Sequence, residues 1–407
     1  MKKTIKALVS YATLALLIVT AFVSANAQTS AASQGQCTDE NKGAWYADFT
    51  KFRTTDATKA YEAAKKYLAG CPTEEGQIPA YLKKWVAAYE KEARKLKLND
   101  LFLNQRKYPE AMALAREILN EEPDYLPAVM DLGYGGYVVA VTTKNESGNA
   151  DAVNWARKAI AAIEGGKTVE NWAPFKSKDD ALGYLYYSVG YLQREANPTD
   201  ALSNFLKAAR YEGEIKKNSQ TYVFIAAAYE KEYERQSAEY QKNFSGKDET
   251  PESKLAVANI NQIVDRIIDS LARAVAVAGT DAAAQASKAQ WMARLTELYK
   301  FRHGGTEAGL NELIAGVLAK PLPPVPTPLT ELPAAPATSS TPTSGNGATT
   351  GAAIPAAAKT GTTTTTTAVP AATTTTPKTT TTTTANTTAK NTKPVVKPKT
   401  RNNHRRH

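Results

Sequence analysis

Ala111 lies twelve residues before Pro123, and the pair Leu132-Gly133 begins nine residues after that proline. This spacing constrains the fold more than any other feature of the chain. Ala111, Ala115, Ile118 and Leu119 share one face of a helix, and Pro123 lacks the N–H that would continue it. Gly133 then falls inside a second helix, where a missing side chain lets a neighbouring backbone approach. The spacing predicts a helical hairpin, and such a hairpin buries its apolar face only against others like it.

The same punctuation recurs along the chain. Helical periodicity is interrupted at Cys71-Pro72, Glu122-Pro123, Gly165-Gly166, Asn197-Pro198 and Thr250-Pro251. Between these breaks residues 41–320 are rich in Ala, Leu, Lys, Glu and Tyr, with no β-branched alternation, so the predicted fold class is all-α with about a dozen helices. Residues 125–138 pair with 151–163, where Ala152, Ala156 and Ala159 repeat at helical spacing. Tyr186, Val189 and Gly190 open the next unit, Pro198 turns it, and Ala201, Phe205 and Ala208 line its second helix. Tyr222, Ile225, Ala226 and Tyr229 repeat the first-helix pattern, Ala238 takes the second-helix place twelve residues after Ala226, and Pro251 closes the unit. Residues 252–320 read as longer closing helices, lined first by Trp291, Leu295, Leu298 and Tyr299, then by Leu310, Leu313, Ile314 and Leu318.

On these residues the chain resembles the tetratricopeptide repeat family, whose unit of about 34 residues carries the pattern W-x2-L-G-x2-Y…A-x3-F…P. The resemblance covers residues 108–163 and 184–251. It is worn over 42–72, where Trp45, Phe49, Ala60, Ala64 and Pro72 stand. It implies a solenoid of helical hairpins whose first helices line a concave face. Insertions at 139–150 and 165–180 predict an irregular stack rather than a uniform superhelix. On the implied face stand Met130, Tyr134 and Tyr137, then Tyr184, Tyr187, Tyr191 and Arg194. Tyrosine and arginine bury large areas while keeping a polar tip satisfied, so these seven residues form a candidate groove for a protein or peptide. The plainer reading places the tyrosines between helices as packing. Gly133, Gly135 and Gly136 together lower helix propensity, and a hinge and a close helix crossing both account for them.

The two ends of the chain lie outside this pattern. Lys2, Lys3 and Lys6 precede an apolar run over 7–23 and the small-residue site Ala25-Asn26-Ala27, which predicts a bacterial secretory signal peptide over 1–27; an uncleaved anchor is the alternative. Residues 28–40 read as a linker. Residues 321–407 contain 28 Thr and 13 Pro and no Phe, Tyr or Trp, a composition that predicts a disordered tail. Charge divides the same way. The net +10 takes +8 from that tail and +3 from the leader, which leaves 28–320 at −1. Basicity therefore belongs to the tail, and no nucleic-acid-binding domain is expected. The basic end over 393–407 is a candidate contact for anionic envelope polymers or a membrane surface. Export makes a Cys37–Cys71 disulfide the expected state of the two cysteines.

Little in the helical region suggests chemistry. His303 is its single histidine and precedes Gly304-Gly305 at a helix end, an ordinary place for it. Gly165-Gly166-Lys167-Thr168 lacks the earlier glycine of a phosphate loop, since Ala161 stands there, and it follows a helix rather than a strand. Glu90, Glu92, Glu230, Glu232 and Glu234 alternate with lysines as solvated faces do. No catalytic, cofactor or metal residues are assigned. The sequence thus points to a non-enzymatic scaffold or adaptor of the periplasm or cell surface. Its alternative is a structural envelope component whose tail contacts the wall or membrane.

Overall fold

The computed structural model describes residues 37–332. The leader, most of the linker, and the chain beyond 332 lie outside the described residues, as do the signal-peptide and disorder expectations that rest on them. Among the described residues there are twelve α-helices and no strand. Successive helices pack against one another in stacked order.

The stack begins with α1 (Asp39–Phe52), α2 (Ala57–Gly70) and the long α3 (Gln77–Asn99), which continues into one π-helical turn over Asp100–Asn104. Next come α4 (Tyr108–Glu121), α5 (Leu126–Thr143), α6 (Asn149–Glu164), α7 (Lys178–Gln193) and α8 (Pro198–Ala208). The end is made of α9 (Ser219–Phe244), α10 (Pro251–Ala276), α11 (Ala282–Arg302) and the short α12 (Leu310–Gly316). Local sequence sets many of these boundaries. Side-chain oxygens of Thr38, Asp56, Ser177, Asn197 and Asp281 each accept from a backbone N–H of the first turn, satisfying donors that a helix start leaves free. Thr250 and Ser253 form a reciprocal capping box at α10. Proline occupies the first turn of α4, α5, α8 and α10, where its missing N–H is not needed.

The buried residues form two clusters. The smaller contains Phe49, Ala60, Ala64, Tyr67, Leu82 and Val86, from α1, α2 and the first half of α3. The larger runs from Leu98 at the end of α3 to Val317. Helix α3 is the rod between them. Cys37 and Cys71 are bonded, with Cα atoms 5.0 Å apart, so the start of α1 is tied to the end of α2.

Three sequence expectations change. The unit expected to fold back between Ala226 and Ala238 is one continuous 26-residue helix, α9. No Gly or Pro falls within it, and the first left-handed residue after it is Gly246, at φ +71°. The boundary drawn at Pro321 falls inside an ordered segment. Residues 320–329 lie along α10. Arg273 donates to the carbonyls of Lys320 and Pro321, Arg266 to that of Pro324, and Asn259 pairs with the backbone of Leu329 at 2.6 and 3.2 Å. Low aromatic content does not prevent this, because the proline carbonyls meet donors already standing on the helix. Leu318, expected to line the last helix, is exposed.

The glycines of α5 are explained by close approach. A Cβ on Gly133 would lie 2.6 Å from the Cα of Ala156, and one on Gly136 would strike the Cβ of Ala152. Both contacts are with α6. Gly135 faces Phe102 and Met112 instead. The crossing of α5 over α6, rather than a hinge, accounts for Gly133 and Gly136, and the packing of Phe102 and Met112 accounts for Gly135.

Candidate functional site

The seven candidate groove residues are brought together, but five of them do not line an open face. Met130, Tyr134, Tyr137, Tyr184 and Tyr187 are buried, with Tyr184 only 1% exposed. The four tyrosines belong to a continuous aromatic chain through the larger core, and Met130 packs in the same cluster. Tyr134 lies 5.4 Å from Tyr184 and 5.3 Å from Phe175 between ring centres. Tyr137 meets Tyr187 at 5.9 Å and Tyr191 at 5.3 Å, and Phe224 of α9 continues the series against Tyr187, Tyr191 and Phe205. Edge-to-face and offset pairs of this kind fill the space between hairpins. Burial pushes the Tyr134, Tyr137 and Tyr187 hydroxyls far above the ordinary phenol range. Only Tyr191 and Arg194 are part-exposed; the Arg194 guanidinium stacks 3.9 Å over the Tyr191 ring and donates to the Tyr191 carbonyl. The groove expectation is therefore corrected. Tyrosines repeating at helical spacing here pack between neighbouring helices.

The residues assigned to repeat packing are mostly interior. Ala111, Leu132, Gly133, Ala152, Val189, Gly190, Ala201, Phe205, Ala208, Ile225, Ala226 and Tyr229 are all buried. Pro123 is exposed in the turn between α4 and α5. There it lines a feature that periodicity does not reveal.

That feature is a cleft of about 690 Å³ at one end of the hairpins. Three pieces of chain frame it. The π-helical turn after α3 supplies Phe102 and Leu103, the α4–α5 turn supplies 122–127, and the loop between α6 and α7 supplies 167–171 and Ala173. The π turn is held by the Asp100 carboxylate, which accepts from Asn104 and Gln105. The α6–α7 loop is the insertion that spoiled the regular repeat; here it forms a wall. Apolar surface comes from Phe102, Leu103, Tyr125, Leu126, Val169 and Ala173.

Charges on the rim are engaged. Asp124 pairs with Lys167 at 3.3 Å. The ammonium groups of Lys91 and Lys95 lie 3.3 and 3.1 Å from Oε1 of Glu122, a charge contact rather than an aligned hydrogen bond. Lys95 also sits 4.8 Å over the Tyr125 ring, and Lys158 donates to the Pro123 carbonyl. Asp131 differs from all of these. It lies on α5 within the cleft lining and is only 6% exposed. Burial raises its carboxyl well above the usual carboxylate range, and among the described residues no opposing charge or hydrogen bond lowers it. The sequence alone does not single it out. The available signal was an Asp one position before Leu132-Gly133, on a helix otherwise apolar from Leu126 to Val141.

His303 caps α11, stacks on Tyr299 and has Nδ1 2.9 Å from the Tyr299 carbonyl. Lys167, in the segment that imitates a phosphate loop, serves the cleft rim instead. Among the described residues one group of metal-ligating atoms lies close together, Cys37, Cys71 and Glu74, and both of its sulfurs are in the disulfide. No described helix is long and apolar enough to cross a membrane. Comparison with protein-family models, curated proteins and solved structures gives no match for this chain.

Proposed function

We propose that the chain is an exported, non-enzymatic helical-repeat adaptor, tetratricopeptide-like in organisation, that holds an extended segment of a partner protein in the hairpin-end cleft. The observation carrying this reading is the cleft itself: an apolar-walled recess of about 690 Å³ with a buried acid in its lining. Clefts with apolar walls and a few placed polar groups are the usual form of a binding site. The burial of Met130, Tyr134, Tyr137, Tyr184 and Tyr187 supports the same choice, because it leaves only Tyr191 and Arg194 of that set part-exposed. The Cys37–Cys71 bond accords with an oxidising compartment outside the cytoplasm.

A photo-crosslinking side chain placed at Leu103 tests the reading in the native envelope. A discrete protein adduct is expected from that position, absent from a control position at exposed Lys242 on α9, and lost when Val169→Trp fills the cleft. An adduct that persists with Val169→Trp, or no adduct at Leu103, contradicts it.

A structural envelope role is the second reading, favoured by the segment 320–329 bound along α10. That segment fixes the point on the helical stack from which 333–407 departs. Wall retention lost on deleting 333–407, with the Leu103 adduct unchanged, assigns the tail this separate role.

A further inference from the structure

We propose that Asp131 is the anchor for a basic side chain, a lysine ammonium or arginine guanidinium, carried by the segment that the cleft holds. The proposal rests on the cleft reading and specifies its ligand.

The argument starts from what Asp131 lacks. The residue is only 6% exposed and lines the cleft, yet no hydrogen bond or ion pair to its carboxylate exists among the described residues. A buried polar group without a partner is destabilising, and a buried charge more so. Asparagine or leucine at this position would fold with less conflict. The neighbouring acids set the contrast: Asp124 has Lys167, Glu122 has Lys91 and Lys95, and Glu170 stands exposed. The nearest cation of the cleft wall, Lys167, is thus already engaged on the rim. A group aimed into a recess with no internal partner is matched by a partner from outside.

The chemistry of that partner follows from the lining. Of the four acids in the lining, Lys91 and Lys95 neutralise Glu122, Lys167 neutralises Asp124, and Glu170 is exposed, so Asp131 is the buried acid left to attract a cation. A bare divalent ion is a poor fit, because no group of three ligating side chains among the described residues includes Asp131. Lysine and arginine combine a cationic head with an aliphatic stem, which suits Phe102, Leu103, Leu126 and Val169 along the walls. Once paired, the carboxylate forms charge-assisted hydrogen bonds, roughly twice as strong as neutral ones.

The test uses the full exported chain, immobilised and panned against displayed random twelve-residue peptides, with affinities then read by fluorescence anisotropy. The expected result is one peptide position restricted to Lys or Arg. Replacing that residue by norleucine, or Asp131→Asn in the protein, should each weaken binding on the order of 10- to 100-fold. The two losses together should not exceed either alone. Circular dichroism should show Asp131→Asn folded, and Val169→Trp should abolish binding. Peptides blocked by Val169→Trp but indifferent to a basic residue and to Asp131→Asn overturn the anchor and leave the cleft reading standing. A panning that yields no peptide sensitive to Val169→Trp overturns both. Binding that appears only after removal of 333–407, and is competed by a peptide of 393–407, assigns the site to the chain's own tail and overturns the partner assignment.

Discussion

Reducing the Cys37–Cys71 bond should release the first two helices while the rest of the stack holds. The bond joins residues 34 apart. Chain-entropy arguments give a loop of that length about 3.8 kcal/mol of stabilisation. Its effect should be local, because α1, α2 and the first half of α3 share a core of their own built on Phe49, Tyr67 and Leu82. That core connects to the larger one through α3. Without the bond, opening of the small core should become easier by the same amount, which accelerates amide exchange about 500-fold where sub-global opening controls it. Hydrogen exchange read by mass spectrometry, with and without a mild reductant, measures this directly. Peptides within 39–86 should speed up, and peptides within 126–163 and 198–233 should not. Cys37→Ser with Cys71→Ser should reproduce the reduced pattern. Equal acceleration in every helix would refute the reasoning, since it would mean that the two cores open as one unit.

The remaining predictions concern the larger core and the cleft. Gly133→Ala should destabilise by about 1–3 kcal/mol, since the added methyl meets the Ala156 backbone, whereas Gly148→Ala, with open space around it, should be near neutral in chemical denaturation. Tyr187→Ala should cost about 3–5 kcal/mol and lower the thermal midpoint, because the ring is buried in the aromatic chain rather than offered to a ligand. Tyr184→Phe should raise the midpoint slightly, since the buried Tyr184 hydroxyl has no hydrogen-bond partner. Asp131→Asn should change the pH dependence of stability with a definite sign. The native carboxyl keeps its proton to higher pH than the unfolded one, so native stability falls as pH rises between the two pKa values. The variant should therefore match the wild type in acid and exceed it at neutral pH, as read by thermal melts across that range.

The fold was legible where the signal is local. Pro123, Pro198 and Pro251 marked turns because proline cannot continue a helix, and Ala152, Ala156 and Ala159 marked a buried stripe because small residues let helices close. The α9 region misled because Ala226 and Ala238 keep the hairpin spacing while nothing between them breaks the helix. The strap over 320–329 was hidden because its stability comes from Asn259, Arg266 and Arg273, far away in sequence. The site was the least legible part. Tyr137 and Tyr187 have the side chains of an interface residue and the spacing of a core residue, and only packing decides between them. The cleft depends on three loops coming together, and Asp131 acquires meaning only once it is seen buried in that lining.

The proposed function places binding in the hairpin-end cleft and not on the tyrosine face. Hydrogen exchange of the full chain with and without a bound segment, either the crosslinked partner or a selected peptide, tests it most directly. Slowed exchange should be confined to residues 99–103, 122–131 and 167–173, the three pieces that frame the cleft. Protection centred on 187–194 and 219–229, with the cleft segments unchanged, would contradict the account.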